Sequence, residues 1–554
     1  MVVATMSHKS LNKILANDIT KKQLHEVLED MGMELKTVEG DELGVEITPD
    51  RLDLISPCGL ARAIKSFLKF SKVSKYKVYE SGYEVHVKKA VKGVRPHTVC
   101  AVVKNLKITD KILEEIIGVQ EKLHATLGRG RTRGAIGIYP LETITWPITY
   151  TADSPKKIKF QALGSEKEMT GDKIITDLDT GKEFAHLLKG KKKYPFFIDA
   201  AKEILSMPPI INSEKTGRVS EKTTDIFIEC SGFDLQPLTE LLVNLTTMFA
   251  DMGGEVFEVK VKYEGDKSNI TPKLKSIERK LHIKNIQKLI GIDLSRKEIQ
   301  EHLSKMMYTP ISMNDDVWTI AAPPFRFDLW HEVDIIDDIA RSYGYNNIKL
   351  RTPKIAFNGG SLPLSTLREE LSDIMTGFGF LENYTFSLTG DKEQLENMNL
   401  DPKKVNRVKI ANGMESQGML RVSLIPQQLT TLFHNQNRPL PQKLFEGAFV
   451  VLPDTKTDVK ARNEMHLCGL ITDQTVTFTQ IKQVLDAVLR TKGIAVTIKA
   501  KEHPSYIKGR CGEVFLGKKS VGLVGELHPQ VLTNFGLQNP VGVFEINIEP
   551  LVMD

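Results

Sequence analysis

Four aspartates in the stretch PPFRFDLWHEVDIIDDIARSYGYNNI, Pro323 to Ile348, have the type and spacing for chemistry. Asp334, Asp337 and Asp338 fall at i, i+3 and i+4, with Arg341 at i+7, so a helix over 332–343 gathers them on one side. Asp328 stands just before that helix. Val333, Ile336, Ile339, Ala340 and Tyr343 make the opposite side, which predicts an apolar stripe toward the core and a carboxylate ridge turned away from it. Like charges about 4 Å apart repel by roughly 1 kcal/mol in water and about 4 kcal/mol near a protein surface. Arg341 is the one cation on that ridge. Oxygen ligands without sulfur or imidazole suit Mg²⁺, so the chemistry would be Mg²⁺ binding by Asp328, Asp334, Asp337 and Asp338. The alternative is a solvated face, with Asp328 as the helix N-cap and one ion pair to Arg341.

Three further patterns invite a chemical reading. In GRGRTRGAIG, Gly128 to Gly137, an extended backbone would put Arg129, Arg131 and Arg133 on one side, suited to phosphate contact. KGKKKYP, Lys189 to Pro195, adds a second cationic cluster, and either run could equally be a solvated loop. GEVFLGKK, Gly512 to Lys519, nearly spells the phosphate loop G-x-x-x-x-G-K-S/T, but Lys519 stands where the hydroxyl should be. Alternation on both sides of Gly517-Lys518 makes it a hairpin instead.

The elements that must position these residues belong to several domains, since 554 residues exceed one core. Lys and Arg number 75 against 70 Asp and Glu, a net charge of +5 that permits a nucleic-acid partner without requiring one. Five scattered cysteines form no C-x-x-C pair, which argues against a disulfide framework or a zinc site. No apolar run of about 18 residues and no signal-peptide pattern is visible, so a cytosolic protein without membrane association is expected. Lysine-rich or Gly-rich joins at SKVSKYK, KYEGDKSNITPKLK and FNGGSLPLS mark boundaries. One internal echo crosses them: PDRLDL, Pro49 to Leu54, and PFRFDL, Pro324 to Leu329, share Pro-x-Arg-x-Asp-Leu, and each precedes a helix with Ala-Arg, at Ala61-Arg62 and Ala340-Arg341. Two related small domains follow from it.

With those residues in view, the acidic stretch closely resembles the signature of the phenylalanyl-tRNA synthetase β subunit: Pro-x-x-Arg-x-Asp, an acidic helix, then Ala-Arg-x-Tyr-Gly-Tyr. ITPDRLDLISPCGLARAI resembles the N-terminal domain of that family, YPFFIDAAKEILSMPPIINSEKTGRV its editing domain, and LRVSLIPQQLTTLFHNQNRPLPQKLFEGAFVV with HPSYIKGRCGEVFLGKKSVGLVGELHPQVL its C-terminal module, all in the family's order. The length resembles the archaeal and eukaryotic form. The resemblance implies an α+β, multidomain chain. Residues 1–84 would be an α/β domain, 85–268 an editing-type, tRNA-binding α/β domain, 269–352 a related small domain of helical or winged type with the acidic Mg²⁺-binding motif, and 353–554 a class II synthetase-like antiparallel sheet module lacking catalytic residues.

The same resemblance implies an (αβ)₂ heterotetramer that ligates phenylalanine to tRNA(Phe), with ATP bound and the chemistry done by the α subunit. It also implies a Mg²⁺ shared between subunits through Asp328, Asp334, Asp337 and Asp338, where the family often has Glu at the last two positions. Arg421 and Glu446 are expected to be structural, because the stretches around them lack the cationic phosphate ligands of a class II core. For editing of tyrosyl-tRNA(Phe), the family positions are Phe197 and Ser206 lining a pocket, with Glu229 and Ser231 reading the phenol and a positioned water attacking the ester. This chain departs from the family's Asp-x-Thr-Gly-Thr-Asp with Glu229-Cys230-Ser231-Gly232-Phe233-Asp234, which alters the pocket. The rival reading is a free-standing RNA-binding protein or aminoacyl-tRNA hydrolase with no α partner.

Overall fold

The computed structural model describes residues 2–70, 75–265, 268–356 and 359–552. Parts of all three expected joins, residues 71–74, 266–267 and 357–358, lie outside the described residues. The chain divides into two compact units, Met1–Thr352 and Pro353–Asp554.

The first unit opens on a strand, Val2–Ser7, two helices, His8–Leu15 and Lys21–Asp30, two strands, Glu34–Glu39 and Glu42–Ile47, and a third helix, Pro57–Phe67. The caps are written in the sequence: Ser7 accepts from the Ser10 N–H, Thr20 and Gln23 form a reciprocal capping box, and Ser56 accepts from the Gly59 N–H ahead of a first-turn proline. Helical spacing buries Leu24, Val27 and Leu28 on one helix and Leu60, Ile64 and Phe67 on another.

The same order returns late in the unit. Strand Ile277–His282, helices Ile283–Ile290 and Arg296–Lys305, strands Thr309–Met313 and Val317–Ala322, and helix Glu332–Tyr343 follow one another as before. In both sheets the third strand lies between the other two. The echoed hexapeptide has the same job in each copy. Arg51 grips Asp53 through Nε and Nη2 at 2.9 and 3.0 Å, and Arg326 grips Asp328 at 2.9 and 2.7 Å.

Between the copies lies an eleven-stranded mixed sheet. Strand His97–Lys104 pairs with Glu255–Tyr263 on one side and Ile226–Gly232 on the other, and the latter pairs in turn with Gly134–Pro140. Period-two alternation splits Ile226–Gly232 between two cores. Ile226, Ile228 and Cys230 pack with Leu238, Leu241 and Leu245 of helix Leu235–Asp251. Phe227 packs with Tyr139, Tyr150 and Phe197. Glu229 and Ser231 share the face of Phe227.

The second unit is built on a seven-stranded sheet, antiparallel except where the edge strand Leu381–Glu382 runs parallel to Gln442–Pro453. Helices Pro363–Gly377 and Phe478–Thr491 cover one face over Phe445, Leu467, Val524 and Phe544, and helix Ile425–His434 covers the other over Leu444, Leu470 and Val543. Strands Tyr506–Leu516 and Lys519–Leu527 meet at a turn with Leu516 opposite Lys519 and Gly517 at φ 59°. GEVFLGKK is thus a hairpin.

Candidate functional site

A cavity of about 510 Å³ opens beside strand Ile226–Gly232, lined in part by His124, Arg131, Ser206, Asn212, Gly217 and Glu229. Glu229 is only 2 % exposed. Its Oε1 lies 3.3 Å from the Tyr139 hydroxyl oxygen, and its Oε2 is buried with no hydrogen-bond partner. Burial pushes the carboxyl up to about 8, against the opposing pull of the Arg95 guanidinium and of the Tyr139 and Ser231 hydroxyls. Burial thus favours the protonated carboxyl at neutral pH. Ser206, on strand Ile204–Met207, accepts from the same Tyr139 hydroxyl at 2.7 Å.

No serine-type nucleophile is assembled here among the described residues. Ser206 is tied to a tyrosine. His124, the nearby imidazole, uses Nε2 to accept from the Ile136 N–H at 2.8 Å and turns Nδ1 to Glu121, while burial lowers its pKa. Among the described residues lining it, the cavity offers no activated hydroxyl.

Two of the four expected editing residues do not line this cavity. Phe197 is fully buried in the second core, its ring stacked on Tyr150 with centroids 4.3 Å apart, because a phenylalanine on a central strand packs inward. Ser231 is also buried, its Oγ accepting from Arg95 Nε at 3.3 Å and its carbonyl from Arg95 Nη2 at 2.6 Å. Sequence reasoning missed Tyr139 and Arg95. Nothing local marks Arg95; Tyr139 stands two residues after a glycine in a strand pattern, the spacing of a side chain facing that gap.

The arginine run is not extended. Thr126 to Arg133 form successive turns, with φ of 47°, 58° and 64° at Arg129, Gly130 and Arg131, so the alternation that would align the three side chains never arises. Arg131 is structural: it donates to the Ile210 carbonyl at 3.0 Å and to Glu121 at 3.1 Å, and lies 4.0 Å over the Phe184 ring. Arg129 is exposed, and Arg133 reaches Asp234 only at 3.9 Å.

The acidic helix also differs from its expected form. Asp338 is buried beneath it, accepting from Arg326 Nη2 at 2.6 Å and the Tyr308 hydroxyl at 2.5 Å. Arg326, 1 % exposed, thereby bridges Asp338 and Asp328. Asp337 bonds Arg341 at 2.8 Å and the Tyr345 hydroxyl at 2.6 Å. Asp334 accepts the backbone N–H groups of Trp330 and His331 at 2.6 and 2.7 Å, and His331, not Asp328, is the N-cap. The helix is rotated from the expected setting: Ile335 is buried, whereas Val333 is 52 % exposed. Asp334 and Asp337 have partners of their own while Asp328 and Asp338 share Arg326, and among the described residues no group of three or more His, Cys, Asp or Glu is placed to hold a metal ion. As folded they do not fit a four-carboxylate Mg²⁺ site, because the Arg326 cation already occupies the space between two of them.

In the second unit Arg421 and Glu446 form a buried ion pair at 2.9 Å. Glu446 also accepts from Thr385 and Gln428, and Arg421 Nε donates to the Phe449 carbonyl at 2.9 Å. Both side chains are committed inside the fold.

Residues 348–548 match the family model described as the phenylalanyl tRNA synthetase beta chain CLM domain, and residues 279–345 match the tRNA synthetase B5 domain. The phenylalanine–tRNA ligase beta subunit of Pyrococcus furiosus is 38 % identical over 504 residues, spanning 91 % of this chain and 90 % of that protein. The Archaeoglobus fulgidus protein of the same description is 34 % identical over 552 residues, spanning 99 % and 98 %. The crystal structure of an N-terminal fragment of the phenylalanyl-tRNA synthetase beta subunit from Pyrococcus horikoshii superposes with a TM-score of 0.60 at 34 % identity, covering 62 % of this chain and 99 % of the fragment.

Proposed function

The chain belongs to the phenylalanine–tRNA ligase β-subunit family, and from that premise we propose that it docks a catalytic α subunit through its second unit and proofreads mischarged tRNA(Phe) through the cavity of its first. One observation carries the proofreading reading: a carboxyl oxygen, Glu229 Oε2, lies buried and unpartnered at a cavity of about 510 Å³. A buried polar atom without a partner is costly, and a ligand hydroxyl removes that cost. Tyrosine differs from phenylalanine by one hydroxyl, which an apolar synthetic pocket cannot strongly reject, whereas a second site that hydrogen-bonds it discriminates well. The ester bond is then opened by a water held in the cavity, helped by the adjacent hydroxyl of the tRNA, since the protein supplies no nucleophile. Ser206 and Glu229 contact the substrate; Phe197 and Ser231 shape the strands behind them. Arg129, Arg133 and the exposed Lys191, Lys192 and Lys193 supply phosphate contacts for the tRNA.

For the α subunit, the supporting feature is a run of large apolar side chains beside the short edge strand of the second unit. Leu381, Tyr384 and Phe386 are 70 %, 69 % and 85 % exposed. Such a run is a protein-contact surface, not an ordinary solvent face. It favours the heterotetramer over the free-standing rival. ATP and phenylalanine activation belong to α. The acidic helix serves the same assembly through Asp334 and Asp337, and any Mg²⁺ shared there would require Asp328 and Asp338 to leave Arg326. We place the ligase in the cytosol, in keeping with five unpaired, buried cysteines; among the described residues no helix is long and apolar enough to cross a membrane.

Deacylation of tyrosyl-tRNA(Phe) by the assembled enzyme is the test of proofreading. The native enzyme should exceed the spontaneous rate and a Glu229→Ala form should lose most of that excess; no excess, or no loss, sinks the reading. Measuring oligomeric mass with and without the α subunit tests docking, and a chain that ignores α restores the rival.

A further inference from the structure

The two polar side chains of the cavity are governed by a third. Tyr139 is fully buried, its ring stacked on Phe227 with centroids 5.7 Å apart, and its oxygen lies 2.7 Å from Ser206 Oγ and 3.3 Å from Glu229 Oε1. Gly137, directly opposite Glu229 in the strand register, makes room for it. A Cβ at Gly137 would stand 2.2 Å from the Tyr139 oxygen and 2.7 Å from Glu229 Oε1. The phenol oxygen thus uses the space a side chain at that position would fill, and the buried ring is held against Phe227.

Counting protons then fixes what each group shows to a ligand. A phenol has one proton to donate and accepts through its oxygen. The shorter contact takes that proton to Ser206, so the Glu229 contact is a bond only if the protonated carboxyl donates through Oε1 to Tyr139. That leaves Glu229 Oε2 as a carbonyl acceptor and the Ser206 O–H as a donor. One acceptor and one donor, both bonded to the same phenol oxygen, are the complement of a single hydroxyl group.

We infer that Tyr139 is the positioning residue of this cavity, presenting Glu229 Oε2 as acceptor and Ser206 O–H as donor to one hydroxyl of the bound aminoacyl group. The inference rests on the proofreading reading above and supplies its specificity. The other titratable groups around Glu229 are Arg95, Cys100, Tyr150 and Cys230. Burial pushes the two thiols and Tyr150 upward, so they stay neutral while Glu229 titrates.

Tyr139→Phe keeps the ring and removes the proton. In the assembled ligase it should lower the kcat/KM ratio for tyrosyl- over phenylalanyl-tRNA deacylation about tenfold, the equivalent of one hydrogen bond, with the loss mainly in KM. Ser206→Ala, which leaves the aromatic packing alone, should lower the same ratio. A second readout needs no turnover: the infrared carbonyl band of protonated Glu229, identified by its absence in Glu229→Gln, should persist to higher pH in Tyr139→Phe, since on ionisation the phenol turns its proton from Ser206 to the carboxylate, an assistance the variant lacks. An unchanged ratio in both variants, or an unmoved band, overturns the role of Tyr139. A native enzyme that spares tyrosyl-tRNA overturns proofreading instead, and the infrared titration then judges Tyr139 by itself.

Discussion

Replacing Arg326 with methionine should unfold the second small repeat of the first unit before the rest of the chain. The guanidinium is 1 % exposed, holds Asp328 through two nitrogens and Asp338 through one, and lies 5.3 Å from the centre of the Tyr308 ring. Methionine fills much of the same volume but leaves two carboxylates beside each other without a cation. Removing one partner of a buried pair costs about 3–5 kcal/mol, and here two carboxylates share the loss, so the upper end applies. For a module of this size 1 kcal/mol moves the midpoint about 4–8 °C, giving a drop of more than 10 °C. The chain's three tryptophans make this measurable. Two of them report on this module, Trp318 at 1 % exposure in its sheet and Trp330 at 73 % beside its helix, so the red shift of Trp318 follows its melting. Asp338→Asn placed on Arg326→Met should recover part of the loss. A midpoint change below about 3 °C would refute the clamp. So would a comparable loss on adding chelator to the native chain, which would mean that a metal ion, and not Arg326, neutralises these carboxylates.

Three other outcomes follow from the same reading. Burial opposes charge on His466, but hydrogen bonds to Glu464 and Glu545 outweigh it and raise the imidazolium to about 9. A raised cation stabilises fully below its ordinary value near 6.5 and loses that contribution as pH climbs through 9, so the second unit should weaken by about 2–3 kcal/mol over this window, and His466→Gln should flatten the slope in a thermal titration. Pyrophosphate exchange with ATP and phenylalanine should be absent from the isolated chain, because Arg421 and Glu446 are spent on each other and on Thr385 and Gln428; robust exchange would contradict that assignment. Gly137→Ala should cost about 1–3 kcal/mol in thermal stability and most of the tyrosyl-tRNA deacylation, since its methyl group needs the space held by the Tyr139 oxygen.

What could be read from the sequence was whatever local periodicity or capping determines. The helix Glu332–Tyr343, the hairpin at Gly517 and the repeated Arg–Asp fork all lie within a few residues of the signals that announce them. The arginine run failed because glycines at both ends favour turns over the extended backbone that alternation assumes. Asp338 falls on the wet side by spacing alone, because helical spacing shows which residues share a face and not how that face is turned; Arg326, two residues before Asp328, draws it inward. Ser206 and Glu229 came from resemblance, but the residue joining them did not. Tyr139 meets partners 67 and 90 positions away through sheet pairing, and no local pattern encodes that.

The repeated small domain has a consequence for synthesis on the ribosome. The copies touch: the Arg62 guanidinium of the first lies 3.7 Å over Phe325 of the second, and the Ser66 hydroxyl donates to the Ser304 carbonyl at 2.9 Å. The whole eleven-stranded sheet is encoded between them. The first copy therefore leaves the exit tunnel with one flank bare and waits for about 280 further residues, roughly 15 to 60 s at ordinary elongation rates, before its counterpart exists. During that interval the nearest surface of matching shape is on the next nascent chain of the same polysome. Slow codons in the sheet-coding segment would lengthen the exposure, and those just after the second copy would shorten its effect by giving the two halves time to close.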